Sequence, residues 1–403
     1  MEQNNRKYIA VIAFLRKFIS VFFSLFFNVY ILKIVNNDLN FILKYTVFSV
    51  ILSLIFEYIV LKIINSRNAK VIYQLSFPLL VVCIITLMLF KERIVNYIFI
   101  FKAIHTLATT CYAAPYELMV IGSNNNKTMS NFLANLTILE SITTIATPIF
   151  SGFIIDTFSY QTFFIFLVLE AILIILISFK IKNVTVNDKK LELKEFWKNS
   201  KSIKPIKNIY NCMFFRRIST KGAMTELLPI ILFLRLGTEL DLGAYNSIFA
   251  ILSIISLEIL KWINSKNIEK KFYPYLGIAI FISSIFVVYN SSFTSLLVYY
   301  ILMNTFGAII ESEACSAVYS VITVDNLTEY IREHIFTFNI YMTIGQLISY
   351  SLVYVLYNHF NNVNILSITV AILMFFLIIS TIYLRRTQAY LYKVKSEEKR
   401  WKQ

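Results

Sequence analysis

Ionisable side chains lie inside long apolar segments of this sequence. The acids are Glu140, Glu226 and Glu311, and the bases are Lys102 and His105. A charged group in the middle of a bilayer costs about 2.5–3.5 kcal/mol on insertion scales, so each one needs a partner or a hydrated space. Glu140 and Glu311 are the best candidates for proton exchange, because contacts between helices rarely need a carboxylate.

Polar residues in these segments recur at steps of three and four, which places them on one face of a helix. Such faces form either a hydrated path or hydrogen bonds between helices, and for any single Thr or Asn the hydrogen bond is the favoured interpretation. The candidates for a substrate and proton pathway are Lys102, His105, Tyr112, Glu140, Thr144, Thr147, Glu226, Asn304, Glu311, Asn339 and Gln346.

The elements that carry these residues are predicted to be transmembrane helices. Of the 403 residues, 58% are hydrophobic and only 15% are charged, which is far from a soluble composition. Apolar runs of about 20 residues without alternation indicate helices rather than barrel strands. The fold class is therefore an all-α membrane protein. Twelve spans are predicted, at 14–35, 39–63, 71–90, 94–121, 131–155, 160–180, 208–236, 242–264, 272–290, 293–322, 332–357 and 361–384.

Basic residues follow the positive-inside rule. Most of the 38 Lys and Arg residues fall at the N-terminus, in alternate loops, in the 180–221 stretch and in the tail. This bias predicts that both termini are cytoplasmic and disfavours an odd number of spans. The net charge of +15 lies between apolar runs rather than on one soluble face, so nucleic acid is not an expected partner. Abundant Ile, Asn, Lys, Phe and Tyr suggest an AT-rich bacterial genome, and hence the inner (plasma) membrane of a bacterium.

The sequence contains an internal repeat with a shift of about half the chain. Residues 14–20 (FLRKFIS) correspond to 214–220 (FFRRIST), a shift of 200, and 61–68 (LKIINSRN) to 260–267 (LKWINSKN), a shift of 199. The positive-inside rule accounts for the basic residues but not for the shared Leu, Ile, Asn and Ser. A duplicated six-helix unit is therefore predicted. The boundaries are 1–182 and 208–403 for the two bundles, with 183–207 as a cytoplasmic linker.

With this plan, the chain resembles the major facilitator superfamily (MFS). The loop Asn65-Ser66-Arg67-Asn68-Ala69-Lys70 stands where the family has an Asp-Arg-x-Gly-Arg-Lys gate motif, without its acid and glycine. Lys102-x-x-His105-Thr106-x-Ala108 resembles Arg-x-x-Gln-Gly-x-Gly, whose Arg is linked to proton movement. Residues 146–152 resemble the end of a motif associated with exporters, and they keep Pro148 and Gly152.

This resemblance implies an MFS fold of two six-helix pseudo-repeats around a central cavity bordered by helices 4, 5, 10 and 11. The expected function is secondary active transport by alternating access, namely proton-coupled efflux (antiport) of a small amphipathic or lipophilic compound. The alternatives are a nutrient or peptide importer on the same fold, and a non-transporting membrane sensor or immunity protein. The expected gating residues are Arg67, Lys70, Glu117, Pro148, Gly152 and Arg332.

An enzyme is the least expected class, because the sequence has no phosphate loop and no Ser/His/Asp set near a membrane surface. Its three His residues, His105, His334 and His359, are too scattered to predict a metal site. No cofactor is expected. The expected partners are a small-molecule substrate, protons and the lipid bilayer, and the protein is expected to be monomeric.

Overall fold

The computed structural model of the chain describes residues 2–122, 126–182, 191–265, 271–289, 292–324, 328–360 and 364–401. Within these ranges the regular structure is helical, and the described part contains no strand. The α-helices are α1 Glu2–Val21, α2 Phe27–Ile34, α3 Leu39–Ile63, α4 Ala69–Phe90, α5 Ile98–Gly122, α6 Asn126–Thr157, α7 Tyr160–Ser178, α8 Leu193–Ser200, α9 Lys204–Ser219, α10 Met224–Leu236, α11 Glu239–Ser265, α12 Tyr273–Tyr289, α13 Phe293–Val324, α14 Ile331–Phe360 and α15 Asn364–Trp401.

Local chemistry sets several helix boundaries. Asn36 and Asn37 adopt positive φ angles of 52° and 66°, which Asn tolerates better than most residues, and they turn the chain after α2. Asp38 then caps α3, because its side chain accepts a hydrogen bond from the backbone N–H of Phe41 at 3.3 Å. Ser159 caps α7 in the same way, from the N–H of Thr162 at 3.2 Å.

The chain is a polytopic membrane protein. Among the described residues, eight helical stretches are long and apolar enough to cross a membrane, and the apolar helix Tyr273–Tyr289 is shorter. One of the eight, Ala69–Tyr116, is 48 residues long and contains the predicted span 71–90 and most of the predicted span 94–121. The predicted spans 131–155 and 208–236 are not among the eight.

The prediction of one continuous helix at 208–236 is wrong, because the chain breaks between α9 and α10. Gly222 packs so closely that a Cβ there would lie 2.2 Å from the carbonyl oxygen of Arg217 and 2.6 Å from the side chain of Ser349. The Ser349 hydroxyl accepts a hydrogen bond from the Ala223 N–H at 3.0 Å. A side chain of α14 thus satisfies a backbone donor at the start of the new helix.

The first helix of the chain is irregular at the corresponding place. A π-helical turn, Phe22–Phe26, separates α1 from α2. With the shift of 200 residues it corresponds to 222–226, which overlaps the break at 220–223 and the start of α10. Extra turns of this kind occur often at functional positions, because they change the direction of the side chains that follow.

The helices form two compact units. Unit 1 comprises Met1–Lys190 and Leu228–Ile248, and unit 2 comprises Leu191–Leu227 and Phe249–Gln403. In unit 1, α1 packs against α6 and α7, and α4 packs against α5 and α7. In unit 2, α9 packs against α14 and α15, and α12 packs against α13 and α15. These four pairs of contacts are equivalent under the sequence repeat, whereas the packing of α3 against α5 has no comparable counterpart between the described residues of α11 and α13.

Candidate functional site

A buried ion pair lies inside unit 2. Arg216 of α9, of which only 3% is exposed, places its Nη1 atom 3.3 Å from Oε2 of Glu311 on α13. Lys221 approaches the same oxygen, with its Nζ atom 3.6 Å from Oε2. The Cys315 thiol, one helical turn further along α13, donates to Glu311 Oε1 at 3.4 Å. The proposed pathway residue Glu311 is thus held by two cations and a thiol.

The geometry of this pair leaves it open to rearrangement. The contact is longer than the ~2.8 Å typical of a charge-assisted hydrogen bond, and the Nε atom of Arg216 is buried without a hydrogen-bond partner. Neighbouring Arg217 is held separately, because its Nη1 donates to the carbonyl oxygen of Lys221 at 2.9 Å. A buried pair with incomplete hydrogen bonding gains little net stability, so its separation costs less than that of an ideal pair.

Unit 1 contains an arginine at the equivalent position. Arg16 of α1 is 7% exposed, and its guanidinium lies 4.0 Å from the centroid of the Tyr112 ring on α5. Tyr112 also stacks with Tyr73 of α4 and with Tyr116, at centroid distances of 5.4 and 5.2 Å. The predicted pathway residue Tyr112 therefore forms the aromatic support of a buried cation.

Lys102 and His105 lie nearer the start of α5 than Tyr112. They contact aromatic residues of the π-helical turn, α2 and α3. The Nζ atom of Lys102 is 4.3 Å from the ring centroid of Phe27 and 4.9 Å from that of Tyr45. The imidazole of His105 lies 4.2 Å from the ring of Phe23, which belongs to the π-helical turn. His105 thus contacts the irregular turn itself, and Lys102 contacts the first residue of the helix that follows it.

The polar stripe of α6 includes a half-buried acid and buried hydroxyls. Glu140 acts electrostatically on Tyr112, so α6 contributes a carboxylate near the Arg16 cluster. The Thr144 hydroxyl donates to the carbonyl oxygen of Glu140 at 2.7 Å, which is a bond within its own helix. Thr147 and Ser151 are buried with hydroxyl oxygens that make no hydrogen bond.

The predicted gating residues Pro148 and Gly152 lie at a close crossing of α6 with the start of α11. A Cβ at Gly152 would stand 2.4 Å from the carbonyl oxygen of Glu239, and a Cβ at Gly243 would stand 2.2 Å from that of Pro148. The Ser247 hydroxyl donates to the Ile145 carbonyl oxygen at 2.6 Å in the same crossing. Glycine is needed here for backbone approach rather than for an unusual φ angle.

A second ion pair stands beside this crossing. Glu239, 4% exposed, accepts from Lys33 of α2 and from the Tyr160 hydroxyl, the latter at 2.9 Å. The ammonium group of Lys33 also lies 5.0 Å from the ring of Phe233. This ion pair connects the start of α11 with α2 and α7 of unit 1.

The other predicted gating residues are dispersed. Arg67 is exposed and Lys70 half-buried, and neither forms an ion pair with another described residue. Their loop is closed by Asn65 and Asn68 instead, since Asn65 Oδ1 accepts from the Arg67 N–H at 2.9 Å. Arg332 is buried near the start of α14. The Glu117 side chain lies outside the part of the chain that the structure describes.

The remaining pathway candidates belong to unit 2. Glu226 of α10 and Gln346 of α14 both lie beside Tyr350. Asn339 is half-buried on α14. Asn304 donates within α13, to the Tyr300 carbonyl oxygen at 2.9 Å, and its own carbonyl oxygen accepts from Ser253 at 2.8 Å. The Asn304 side chain thus bonds within its own helix, and the bond between α11 and α13 uses only its backbone carbonyl oxygen.

The sequence suggests Arg16 and Arg216 as gate partners but does not place them in the substrate and proton pathway, because basic residues near a helix end fit the positive-inside rule as well as a buried role. The signal that distinguishes them is their identical place in FLRKFIS and FFRRIST. His334 has a structural role, because its Nε2–H donates to the Val318 carbonyl oxygen at 3.0 Å and its Nδ1 accepts from the Tyr210 hydroxyl at 2.8 Å. No three His, Cys, Asp or Glu residues of the described segments cluster as metal ligands.

Comparisons with known proteins give one informative result. No protein-family model and no curated protein matches the sequence. A solved structure described as a bacterial metal transporter matches with a TM-score of 0.64 and 10% sequence identity, over 95% of this chain and 98% of that chain. Because so low an identity carries no information on the site, the match concerns the fold, and the chain has the helical membrane fold of that transporter.

Proposed function

We propose that this protein is a secondary active transporter of the major facilitator type, with twelve spans in two six-helix halves. The fold that it shares with a transporter supports this proposal, as do the equivalent helix neighbours in the two units. The sequence repeat and the distribution of Lys and Arg support a parallel duplication with both termini in the cytoplasm of a bacterium. In this proposal, alternating access exposes a substrate site first to one side of the membrane and then to the other.

The observation that carries the proposal is the Glu311 carboxylate between Arg216 and Lys221. An ionised Glu311 holds α13 to α9. Once protonated, it loses both ion pairs, and Arg216 is left as a buried cation that must find another partner or water. The protonation state of Glu311 therefore biases α9 and α13 between two arrangements, which is the requirement for coupling a proton gradient to transport.

The direct test is flux into proteoliposomes that contain the purified protein, with and without an imposed pH gradient. The ligands are a panel of labelled organic cations, anions and neutral compounds. We expect gradient-driven flux in the wild type and its loss in Glu311→Gln, whereas exchange of substrate across the membrane without a gradient persists. Retained exchange also shows that the variant is folded. Gradient-driven flux that is unchanged in both Glu311→Gln and Glu140→Gln would refute proton coupling through these acids.

Export of an amphipathic organic compound is the direction we propose. Pro148 and Gly152, the residues in common with the exporter motif, lie at a close helix crossing, where a small shift of α6 moves α11. The buried cations Arg16 and Arg216 and the half-buried Lys102 disfavour a metal cation as substrate on electrostatic grounds. Deletion of the gene is expected to sensitise cells to the exported compound, whereas loss of growth on a nutrient would indicate an importer.

A non-transporting sensor or immunity protein is the second candidate function. One observation favours it, because the loop that matches the family gate motif is closed by Asn65 and Asn68, and Arg67 is exposed. A sensor would bind its ligand in proteoliposomes and yet carry neither net flux nor exchange. The flux measurement above therefore distinguishes this candidate from a transporter.

A further inference from the structure

The guanidinium of Arg16 is a buried cation without a carboxylate. Among the described residues it makes no hydrogen bond or ion pair, and the groups that act on it electrostatically are Tyr112 and Tyr73. Stacking on an aromatic ring compensates only part of the desolvation of a guanidinium, since a desolvated cation–π contact contributes about 2 kcal/mol. Its N–H groups, which form a planar fork, are still able to bind an oxyanion.

The internal repeat identifies which group the equivalent arginine binds. The shift of 200 places Arg16 on Arg216. In the structure, Arg16 contacts Tyr112 of α5, whereas Arg216 contacts Glu311 of α13, and these two positions differ by 199 residues, as do Tyr116 and Cys315. The two arginines thus have partners at corresponding positions. Arg16 stacks on the Tyr112 ring, and Arg216 forms an ion pair with Glu311. One turn further along, Tyr116 contacts Tyr112 as Cys315 contacts Glu311.

We infer that Arg16 is the receptor for the carboxylate group of a small aromatic or apolar acid, in a site within unit 1. In unit 2 the chain supplies this carboxylate itself, as Glu311. In unit 1 the equivalent position carries the Tyr112 ring, so the anion has to come from a ligand. The half-buried rings of Tyr112 and Tyr116 provide an aromatic surface beside the guanidinium for the apolar part of such an acid, and the fully buried ring of Tyr73 stacks on Tyr112.

One internal acid lies close to this site. Glu140 of α6 acts on Tyr112, whereas it is not among the groups that act on Arg16. If Glu140 were the partner of Arg16 in the ligand-binding state, its replacement by Gln would free the guanidinium and change carboxylate affinity. We expect Glu140→Gln to bind carboxylates with an affinity within about threefold of the wild type, because the ligand is the anion that Arg16 binds.

The test is equilibrium binding to the purified full-length protein in detergent, with benzoate, phenylacetate and 3-phenylpropionate and their uncharged amides. We expect saturable binding of at least one acid and at least about tenfold weaker binding of its amide, since hydrogen bonds to charged groups are the stronger class. Arg16→Gln removes this preference. Lys17→Gln, with the same change of charge at the next residue, keeps it.

A substitution that copies the second repeat into the first gives the sharpest control. Tyr112→Glu supplies Arg16 with an internal carboxylate and is expected to abolish binding of the acids. Tyr112→Gln removes the ring without supplying an anion and is expected to keep the preference for the acid over its amide. Both variants are informative even if Arg16→Gln does not fold. Absence of saturable acid binding in the wild type, or equal binding by the Glu and Gln variants, would overturn the inference.

This inference rests on the proposed function only because it names the substrate class of the transporter. Measuring acid binding separately from flux distinguishes the failure of this site from the failure of the transporter proposal. Acid binding through Arg16 without flux in proteoliposomes keeps this site and refutes transport. Flux with no preference between acids and amides keeps transport and refutes this site.

Discussion

Replacing Glu311 by Leu is expected to lower the free energy of unfolding by about 3–5 kcal/mol, because Arg216 then stays buried without its carboxylate. Only 4% of the Arg216 side chain is exposed, whereas 33% of the Glu311 side chain is, so water reaches the pair only from the carboxylate side. Truncation of one partner of a buried pair is costly for this reason, even where the intact pair contributes little net stability.

The double variant Arg216→Leu/Glu311→Leu is expected to recover most of that loss, because it removes both charges and leaves an apolar contact between α9 and α13. SDS-induced unfolding of the purified protein measures all three free energies. Glu258→Leu is the matched control, since Glu258 pairs with Lys261 on the exposed face of α11 and is itself 62% exposed. Its loss should cost less than about 1 kcal/mol. A double variant as unstable as the single one would contradict this account of the pair.

Replacing Gly152 by Ala is expected to destabilise the protein by about 1–3 kcal/mol, because the added methyl group forces apart two backbones. The nearest atoms are the carbonyl oxygen of Glu239 at 2.4 Å and the Cα of Leu240 at 3.1 Å, neither of which belongs to a flexible side chain. Transport is expected to fall together with stability, because the substitution separates α6 from α11 at the crossing that holds Pro148.

Gly307→Ala provides the control for this substitution. Gly307 also lies inside a helix, but its added Cβ would meet only the end of the Met303 side chain, at 3.3 Å. Alanine there is expected to be neutral or to stabilise by up to about 1 kcal/mol, since it has the higher helix propensity. Equal effects of the two substitutions in thermal unfolding would show that the crossing at Gly152 is not as close as the structure has it.

The sequence predicts the helices well and their irregularities poorly. Apolar runs locate α3, α4 and α7 to within a few residues, because a membrane helix must bury its apolar surface in lipid whatever its neighbours are. The break before α10 has no such signal. It depends on the fit of Gly222 against Ser349, which lies 127 residues further along the chain.

In the candidate site, too, the sequence predicts what depends on local residues and misses what depends on distant ones. Glu311 is predicted from its cost in an apolar segment, which is a local property. Its partner Arg216 is 95 residues away, and a basic residue near a helix end is already explained by the positive-inside rule. The sequence signal for Arg216 is the repeat, which assigns Arg16 and Arg216 to one position. Their different partners, Tyr112 and Glu311, can then be compared.

Access to the native thiol of Cys315 is the most direct test of the central claim, that the Glu311 site opens alternately to the two sides of the membrane. The Sγ atom lies 3.4 Å from Glu311, and Cys83, Cys111 and Cys212 are buried and can be replaced by Ala. A membrane-impermeant thiol reagent is applied to right-side-out and to inside-out vesicles. We expect Cys315 to be modified from both sides, with the ratio of the two rates shifted by Glu311→Gln. Modification from neither side, or from one side only at an unchanged rate in the variant, would contradict it.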